Sequence, residues 1–188
     1  MNKNSFFNKI EVTDYDDLVT KFRGAELDFK IIVYGNLKSE FLQFGNENFV
    51  VTFSKFNQKF DQAGLAYPDK FAFVIPAVQN LNYSWRRYEI NDGLMPIFKK
   101  NYEFETISPI GFSVFTIAYP DNVIENILKR YGAVKNNFPF SQDVYSIKPS
   151  NLYTASDYLH SVTKRINTNP AFINSDLINY YLLTLVPF

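Results

Sequence analysis

Between Gly64 and Gly132 the chain reads GLAYPDKFAFVIP (64–76), YSWRRY (83–88), YEFETISPIGFSVFTI (102–117) and DNVIENILKRYG (121–132). The first three segments are short, rich in aromatic and β-branched residues, and separated by glycine, proline and asparagine, which is the pattern of β-strands joined by turns. The last segment has apolar residues at helical spacing and ends at a glycine. The stretch therefore predicts a β-rich domain closed by one helix.

The composition agrees with one folded domain. The chain has 188 residues, of which 46% are hydrophobic, and this is enough to bury a proper core. It contains 20 phenylalanines and 13 tyrosines, and aromatic side chains favour the pleated surface of a sheet. The predicted fold class is α+β, mainly β.

Charge and cysteine content exclude several function classes. Nineteen basic residues balance nineteen acidic ones, and no window has the dense Lys/Arg clustering that binds a phosphate backbone. No run approaches the roughly 20 apolar residues of a membrane span, and the N-terminus lacks the apolar region of a secretion signal. Because there is no cysteine, disulfides and thiolate metal sites are excluded. We expect a cytoplasmic protein that binds no membrane and, by itself, no nucleic acid.

Strand-like runs also precede the opening stretch. Thr13 to Asp16 has the form of a helix capping box, and the apolar spacing after it predicts a short N-terminal helix that ends at Gly24. Gly35-Asn36 and Gly45-Asn46 are interpreted as hairpin turns. Eight short strands predict an antiparallel β-barrel or sandwich. These strands are 29–34, 40–44, 49–53, 70–75, 85–90, 95–98, 102–107 and 112–119.

Helical patterns follow the strands. Asp121 is the predicted N-cap of a closing helix that ends at Gly132, and residues 133–149 are interpreted as a connector. We therefore predict a barrel domain over residues 1–148 and a helical hairpin over residues 149–188.

The first helix of this hairpin carries an apolar seam. Its apolar residues recur in a three-four rhythm, which favours packing against another helix, and Asn169-Pro170 ends it. Asn174 or Ser175 caps the second helix. The seam predicts a homodimer, with these dimerisation residues: Leu152, Ala155, Leu159, Val162 and Ile166.

Residues for metal or nucleophilic chemistry are scarce. Barrels that bind iron, manganese or zinc use two or three histidines and a carboxylate, but His160 is the only histidine and falls in the tail helix. We interpret it as a helix-surface or interface residue, without a nucleophile to activate. Glu103 and Glu105 alternate along one strand and so share a face, which we interpret as the solvent face. The sequence predicts no catalysis, no metal and no cofactor, with a carboxylate-based enzyme as an alternative.

The segment Trp85-Arg86-Arg87-Tyr88 has two interpretations. Either Trp85 walls a ligand cavity while one arginine binds a carboxylate or phosphate, or Trp85 is core and both arginines cover it from outside. Nearby aromatic residues carry the same ambiguity, because an eight-stranded barrel either packs full or holds one small ligand. The candidate ligand-binding residues are Phe53, Phe73, Trp85, Arg86, Phe98 and Phe104.

Several anchors recur in a fixed order along the chain. Residues 13–30 are predicted to form a helix that leads into a strand, and residues 45–53 are predicted to form a hairpin. The later anchors are residues 64–75 with the core Pro-Asp-x-Phe-x-Phe, Trp85, residues 102–117, the helix 121–132 and the hairpin after Ser150. In this order they resemble the N-terminal, cupin-like sensor domain of AraC-type bacterial transcriptional regulators.

The resemblance implies a cupin-like barrel that binds a small-molecule effector or dimerises, and thereby controls a DNA-binding helix-turn-helix domain. That domain would be C-terminal and outside this chain. On this hypothesis the chain is a ligand-sensing or dimerisation domain with no catalysis of its own. The alternative is a stand-alone barrel that binds a small apolar or aromatic molecule.

Overall fold

The structure is a computed structural model that describes residues 5–14, 17, 25–32, 35–67, 69–130 and 142–184. Twelve β-strands and three α-helices lie within these ranges. The strands are β1 (Phe6–Val12), β2 (Ala25–Ile31), β3 (Ser39–Asn46), β4 (Phe49–Phe56), β5 (Phe60–Ala66), β6 (Phe71–Pro76), β7 (Tyr83–Trp85), β8 (Tyr88–Ile90), β9 (Leu94–Phe98), β10 (Phe104–Ser108), β11 (Ser113–Tyr119) and β12 (Val144–Ser146). The helices are α1 (Asp121–Arg130), α2 (Pro149–Thr168) and α3 (Asp176–Thr184), with a 3-10 helix (Pro170–Asn174) before α3.

The strands form two antiparallel sheets. Sheet A has the order β1-β3-β4-β11-β6-β9-β12, and sheet B has the order β2-β5-β10-β7-β8. Within the described ranges no strand belongs to both sheets, so backbone hydrogen bonds do not close them into one continuous barrel. The described part of the chain is therefore mainly β, with two sheets and three helices.

Sheet A is buried on both faces, and its central strand β11 shows why. All seven residues of β11 are buried, because side chains alternate between the two faces of a strand. Val114 and Ala118 belong to a core that lies with sheet B, which we call the inner core. Phe115 and Ile117 belong to a second core that sheet A shares with the helices, which we call the outer core.

The outer core contains the apolar seam of α2. Its five residues are 0–7% exposed in the isolated chain and pack with sheet A: Leu152, Ala155, Leu159, Val162 and Ile166. Helix α3 adds Leu182, whose carbonyl accepts a hydrogen bond of 2.5 Å from the Tyr119 hydroxyl. A sheet of the same chain therefore covers these side chains, and their role in dimerisation stays a prediction.

Most predicted strands overlap observed ones, with three informative differences. The predicted strand 85–90 is two short strands, β7 and β8, joined at Arg86-Arg87. The turn predicted at Gly45-Asn46 lies two residues later, because Asn46 still pairs with Phe49. Sequence patterns missed three strands: β1, β5 and β12.

Gly45 is required by a close backbone approach. A Cβ atom at this position would lie 2.4 Å from the carbonyl oxygen of Phe49, a separation that real Cβ atoms do not adopt. The glycine therefore lets the β3–β4 hairpin close tightly beside the turn, while Asn46 accepts a hydrogen bond of 2.8 Å from the Asn48 amide.

The helices of the described part agree with the sequence pattern. Helix α1 starts at Asp121 and buries Val123, Ile124 and Ile127. Ser175 caps α3, since its hydroxyl accepts a hydrogen bond of 3.3 Å from the Ile178 amide. The predicted N-terminal helix lies almost entirely outside the described residues. None of the helices in the described ranges is long and apolar enough to cross a membrane.

Candidate functional site

An internal cavity of about 60 Å³ lies between the two sheets. Its lining is mostly aromatic, includes hydroxyl and amide groups, and contains no charged side chain. The lining residues are Phe29, Phe41, Ser54, Phe56, Gln62, Tyr67, Val74, Tyr83, Trp85, Phe98, Phe104, Thr106, Phe112, Val114 and Thr116.

Strand register in sheet B builds one wall of the cavity. Phe29 of β2 pairs with Gln62 of β5, Gln62 pairs with Thr106 of β10, and Thr106 pairs with Trp85 of β7. Paired residues of neighbouring strands point to the same face of a sheet. These four residues therefore form a continuous row that crosses four strands and faces the cavity.

Sheet A builds the opposite wall by the same rule. Phe41 of β3 pairs with Ser54 of β4, and Ser54 pairs with Val114 of β11. Two positions along β11, Thr116 pairs with Val74 of β6. Both rows lie on the inward face of the sheet. Ser54 stands between Phe41 and Val114, whereas Thr116 stands between Val74 and the polar Thr52 of β4.

Three aromatic rings form one end of the cavity. The ring of Trp85 stacks on Phe104 with centroids 5.3 Å apart and an interplanar angle of 10°. Phe98 meets both rings edge-on, at 4.7 Å from Trp85 and 4.8 Å from Phe104. Trp85 is only 2% exposed, and its indole Nε1 has no hydrogen-bond partner among the described residues.

Tyr67 links the two sheets through the cavity wall. It follows β5 of sheet B with a left-handed backbone (φ +53°), and its hydroxyl shares a hydrogen bond of 2.5 Å with Thr52 of β4 in sheet A. Gln43 Nε2 donates a second bond of 3.2 Å to the Thr52 hydroxyl. Burial raises the pKa of Tyr67 to about 12, against a smaller lowering by Thr52 and Gln43. The phenol therefore stays uncharged at neutral pH.

The structure divides the predicted ligand-binding residues between three places. Trp85, Phe98 and Phe104 come together at the cavity. Phe53 and Phe73 lie on the other face of sheet A, in or against the outer core. Successive side chains of a strand point to opposite faces of the sheet. The rings of Phe53 on β4 and Phe73 on β6 therefore lie on the face of sheet A that is turned away from the cavity.

Arg86 lies outside the cavity, in the turn between β7 and β8. Its guanidinium donates to the backbone carbonyl of Glu103, lies 3.4 Å from an Asp143 carboxylate oxygen and sits 4.3 Å above the ring of Tyr102. Its backbone amide donates to the Glu105 carbonyl at 2.7 Å. Arg86 therefore fastens the turn to the strand that carries Phe104.

Sequence reasoning missed the polar part of the cavity lining. Ser54, Gln62, Thr106 and Thr116 are all buried polar residues on inward strand positions. A polar residue at an inward position of an otherwise apolar strand face is the signal that could have found them. Tyr67 carries no such signal, because it lies beyond the end of its strand.

A surface groove lies next to the cavity. Its lining includes Arg86, Arg87, Glu103, Glu105 and Asp143, and Phe104 lines both the groove and the cavity. The two glutamates are exposed, as the sequence predicts.

Asp143 is an ion-paired carboxylate of this groove. Partial burial raises the pKa of Asp143, but the Lys99 ammonium at 2.7 Å and the Arg86 guanidinium together lower it below its ordinary value. A carboxyl group with a lowered pKa is ionised at neutral pH, so it suits a structural ion pair better than a general acid.

The residues present do not fit a catalytic metal in the cavity. The lining has no histidine, cysteine or carboxylate, which are the usual protein ligands of iron, manganese and zinc. Across the ranges that the structure describes, no group of three or more such residues is placed to hold a metal ion. His160 packs against the ring of Phe115 at 4.9 Å, and its Nε2 donates to the Ala77 carbonyl at 2.9 Å.

Comparisons with known proteins give distant similarities. No protein-family model matches the chain, and no curated protein matches it. Among solved structures, the cupin domain of Cnp3 from Schizosaccharomyces pombe has 15% identity and a TM-score of 0.35, over 71% of this chain and 97% of that one. The plu4264 protein from Photorhabdus luminescens has 13% identity and a TM-score of 0.32, over 65% of this chain and 97% of that one.

A variant of oxalate decarboxylase from Bacillus subtilis has 9% identity and a TM-score of 0.31, over 64% of this chain and 40% of that one. All three TM-scores are low. The architecture is therefore described from the strand order and register of this chain alone.

Proposed function

We propose that this protein is a small-molecule-binding domain that takes its ligand between the two sheets and acts as a sensor. The observation that carries the proposal is the internal cavity with an aromatic lining and a few hydroxyl and amide groups. Ligand sites in proteins combine an apolar wall with a small number of polar groups that orient the ligand. The cavity has this composition, and strand pairing fixes the position of its walls.

Access to the cavity is proposed to run past Phe104. This ring is the side chain that the cavity shares with the adjacent surface groove. It is held by stacking on Trp85 and by the perpendicular ring of Phe98. A change of the Phe104 rotamer is therefore the proposed step that opens the cavity toward this groove.

Binding rather than catalysis is favoured by the chemistry of the lining. Proton transfer and nucleophilic attack need a titratable or activated group near the reacting atoms, and the cavity lining offers hydroxyls, one amide and two tyrosines whose pKa values are raised by burial. The carboxylates of the groove are the alternative site for an enzyme.

The regulatory setting follows from the resemblance to AraC-type sensor domains. In that setting a bound effector shifts the population between two states of the domain, and the shift reaches a DNA-binding module. The homodimer belongs to the same hypothesis. With the α2 seam buried against sheet A, we place a self-association surface elsewhere on the molecule.

The binding proposal is tested by native mass spectrometry of the protein purified directly from cells. A mass increment that disappears on denaturation identifies a retained small molecule, and the same spectrum reports the oligomeric mass. Ser54→Leu places a larger apolar side chain in the cavity and is expected to abolish the increment.

The matched control for this test is Phe53→Leu. Phe53 is the neighbouring residue on β4, but its ring packs at 5.1 Å from Phe115, on the helix side of sheet A. This variant is expected to keep the ligand. If the Ser54 variant retains the molecule as well as the Phe53 variant does, the cavity is not the binding site.

A further inference from the structure

We infer that the cavity takes an uncharged molecule of only a few heavy atoms that accepts a hydrogen bond, and that the indole N–H of Trp85 is the donor that recognises it. This inference rests on the proposed function, since it names the ligand class of the same site. It has three supports: one unpartnered donor, the absence of charge around the cavity, and the cavity volume.

The donor is the first support. Trp85 lines the cavity, is 2% exposed and has no hydrogen-bond partner for Nε1 among the described residues. A buried donor without a partner is costly, and buried tryptophan N–H groups usually find one. An acceptor atom on a bound molecule would remove this cost, so a ligand with an acceptor gains more than a purely apolar one.

The two polar side chains in the same row, Thr106 and Gln62, do not accept a hydrogen bond from the indole N–H. Thr106 pairs directly with Trp85 across the β10–β7 ladder, but its hydroxyl donates to the backbone carbonyl of Ser84 at 2.6 Å. Gln62, the next residue in the row, donates to the Ser108 hydroxyl at 2.8 Å. Both side chains therefore have partners in the protein, whereas the indole N–H has none among the residues that the structure describes.

The electrostatics of the lining exclude a charged ligand. None of the cavity residues is an acid, a base or a histidine, and burial raises the pKa of both Tyr67 and Tyr83 so that both phenols remain neutral. An ion without a countercharge pays a large desolvation penalty in such a place. The charged residues Arg86 and Asp143 line the surface groove rather than the cavity.

The volume sets the size class. The cavity of about 60 Å³ is smaller than the apolar cavity of ~150 Å³ that accepts benzene. A ligand that fits without rearranging the walls is therefore smaller than benzene. A small five-membered ring needs modest relaxation of the walls.

Three rings of nearly equal size separate these properties in one experiment. Tetrahydrofuran has an ether oxygen as acceptor, cyclopentane has none, and pyrrolidinium carries a positive charge. Trp85 is the only tryptophan of the chain, so a ¹H–¹⁵N correlation spectrum of the labelled protein has one indole signal. Methyl signals of Val74 and Val114, which also line the cavity, report occupancy independently of the indole.

We expect both tetrahydrofuran and cyclopentane to shift the valine methyl signals in a saturable way. Tetrahydrofuran alone should also shift the indole proton downfield. Tetrahydrofuran should bind about fivefold more tightly than cyclopentane, as one added hydrogen bond implies. Pyrrolidinium should leave both sets of signals unchanged. In Trp85→Phe, which keeps an aromatic ring for stacking, the preference for tetrahydrofuran should disappear.

The outcomes that overturn the inference differ from those that overturn the binding proposal. Equal affinity for the two uncharged rings, or an indole signal that tetrahydrofuran does not move, removes Trp85 as the donor while cavity binding stands. Tighter binding of pyrrolidinium removes the uncharged class. If none of the three rings shifts a cavity signal, the proposed ligand class, defined by size and by the acceptor atom, is wrong. The native mass spectrometry of Ser54→Leu then still decides whether the cavity binds a molecule.

Discussion

Arg86 shows how a single residue can be held in an unfavourable backbone conformation by its side chain. Its φ of +51° lies in the left-handed region, which costs a residue with a Cβ about 1–2 kcal/mol relative to glycine. The contacts with Glu103, Asp143 and Tyr102 offset that cost. The backbone conformation of Arg86 therefore lowers the stability of the fold, whereas the side-chain contacts of Arg86 raise it.

Two substitutions separate these contributions. Arg86→Ala and Arg86→Gly both remove the guanidinium, but only the glycine relieves the backbone. We expect the glycine variant to be more stable than the alanine variant by about 1 kcal/mol, measured by urea unfolding. Glu89 on β8 is an exposed position outside the left-handed region, and there the order of the two variants should reverse. Equal stability of the two Arg86 variants would contradict the account.

The candidate site could be predicted from the sequence only in part. Trp85, Phe98 and Phe104 were accessible to pattern reasoning, because large aromatic residues on short strands point to a core or a cavity. The separation of Phe53 from them depends on strand register and on which face the helices cover, and a single sequence does not fix either. That the Trp85 indole N–H has no partner among the described residues depends on the bonds that Thr106 and Gln62 make elsewhere, and a single sequence does not fix these bonds.

At the scale of elements, helix α2 acts as the cover of sheet A. It packs against β6, and Leu159 is fully buried in the outer core. Leu159→Ala is expected to lower the free energy of unfolding by about 2–5 kcal/mol through lost burial and the cavity left behind. Leu177 on α3 is 46% exposed, and Leu177→Ala should change stability by less than about 0.5 kcal/mol.

Chemical unfolding and light scattering of the two leucine variants check this prediction together. The oligomeric mass should not change in Leu159→Ala, because this side chain packs within one chain. A loss of dimer mass with unchanged unfolding would instead assign the seam to contacts between copies.

The ion pairs of Asp143 connect three segments of the chain. Asp143 precedes β12, Lys99 follows β9, and Arg86 lies in the β7–β8 turn. Because the folded pKa of Asp143 lies below its ordinary value of 3.8, its contribution to stability is fully present above about pH 4 and is lost as the pH falls through the folded pKa.

Replacement of Asp143 should therefore reduce the loss of free energy of unfolding that accompanies acidification. We expect Asp143→Asn to be less stable than the native protein at neutral pH and to approach it as the pH falls below about 4. Urea midpoints measured between pH 7 and pH 2.5 check this. The exposed Glu105, on the same groove, supplies the matched control Glu105→Gln, which also replaces a carboxylate by an amide. A constant offset for the Asp143 variant at every pH would refute the coupling.

At the scale of the whole molecule, the sequence predicted a mainly β chain with a closing helix and a helical tail, and the missed strands have physical causes. β1 lies at the edge of sheet A with largely half-exposed residues, so its alternation is weak. β5 contains Gly64 and two alanines, which have low strand propensity, and it is a strand because β2 and β10 pair with it on both sides. β12 has only three residues. In all three cases tertiary pairing, rather than local propensity, decides the structure.

The outer core makes the predicted boundary at residue 148 testable. Leu152, Leu159 and Ile166 of α2 are fully buried on sheet A, and each such side chain contributes about 1.5–3 kcal/mol by burial. Three of them together are worth about 4.5–9 kcal/mol, which is comparable with the whole stability of many domains. Their removal also exposes the helix-facing row of sheet A, with Phe115 at its centre, to water.

We therefore expect a chain of residues 1–148 to lose cooperative unfolding, to bind a hydrophobic dye such as ANS and to aggregate. Co-expression of residues 149–188 as a separate chain should restore the cooperative transition, because the outer core depends on packing rather than on the covalent connection between its parts. The control is a full-length chain with Leu177→Ala and Tyr180→Ala, which alters exposed residues of the tail and should unfold like the native protein. A soluble and cooperatively unfolding chain of residues 1–148 would contradict this expectation, since sheet A would then be stable without its cover and the strands would form a domain of their own.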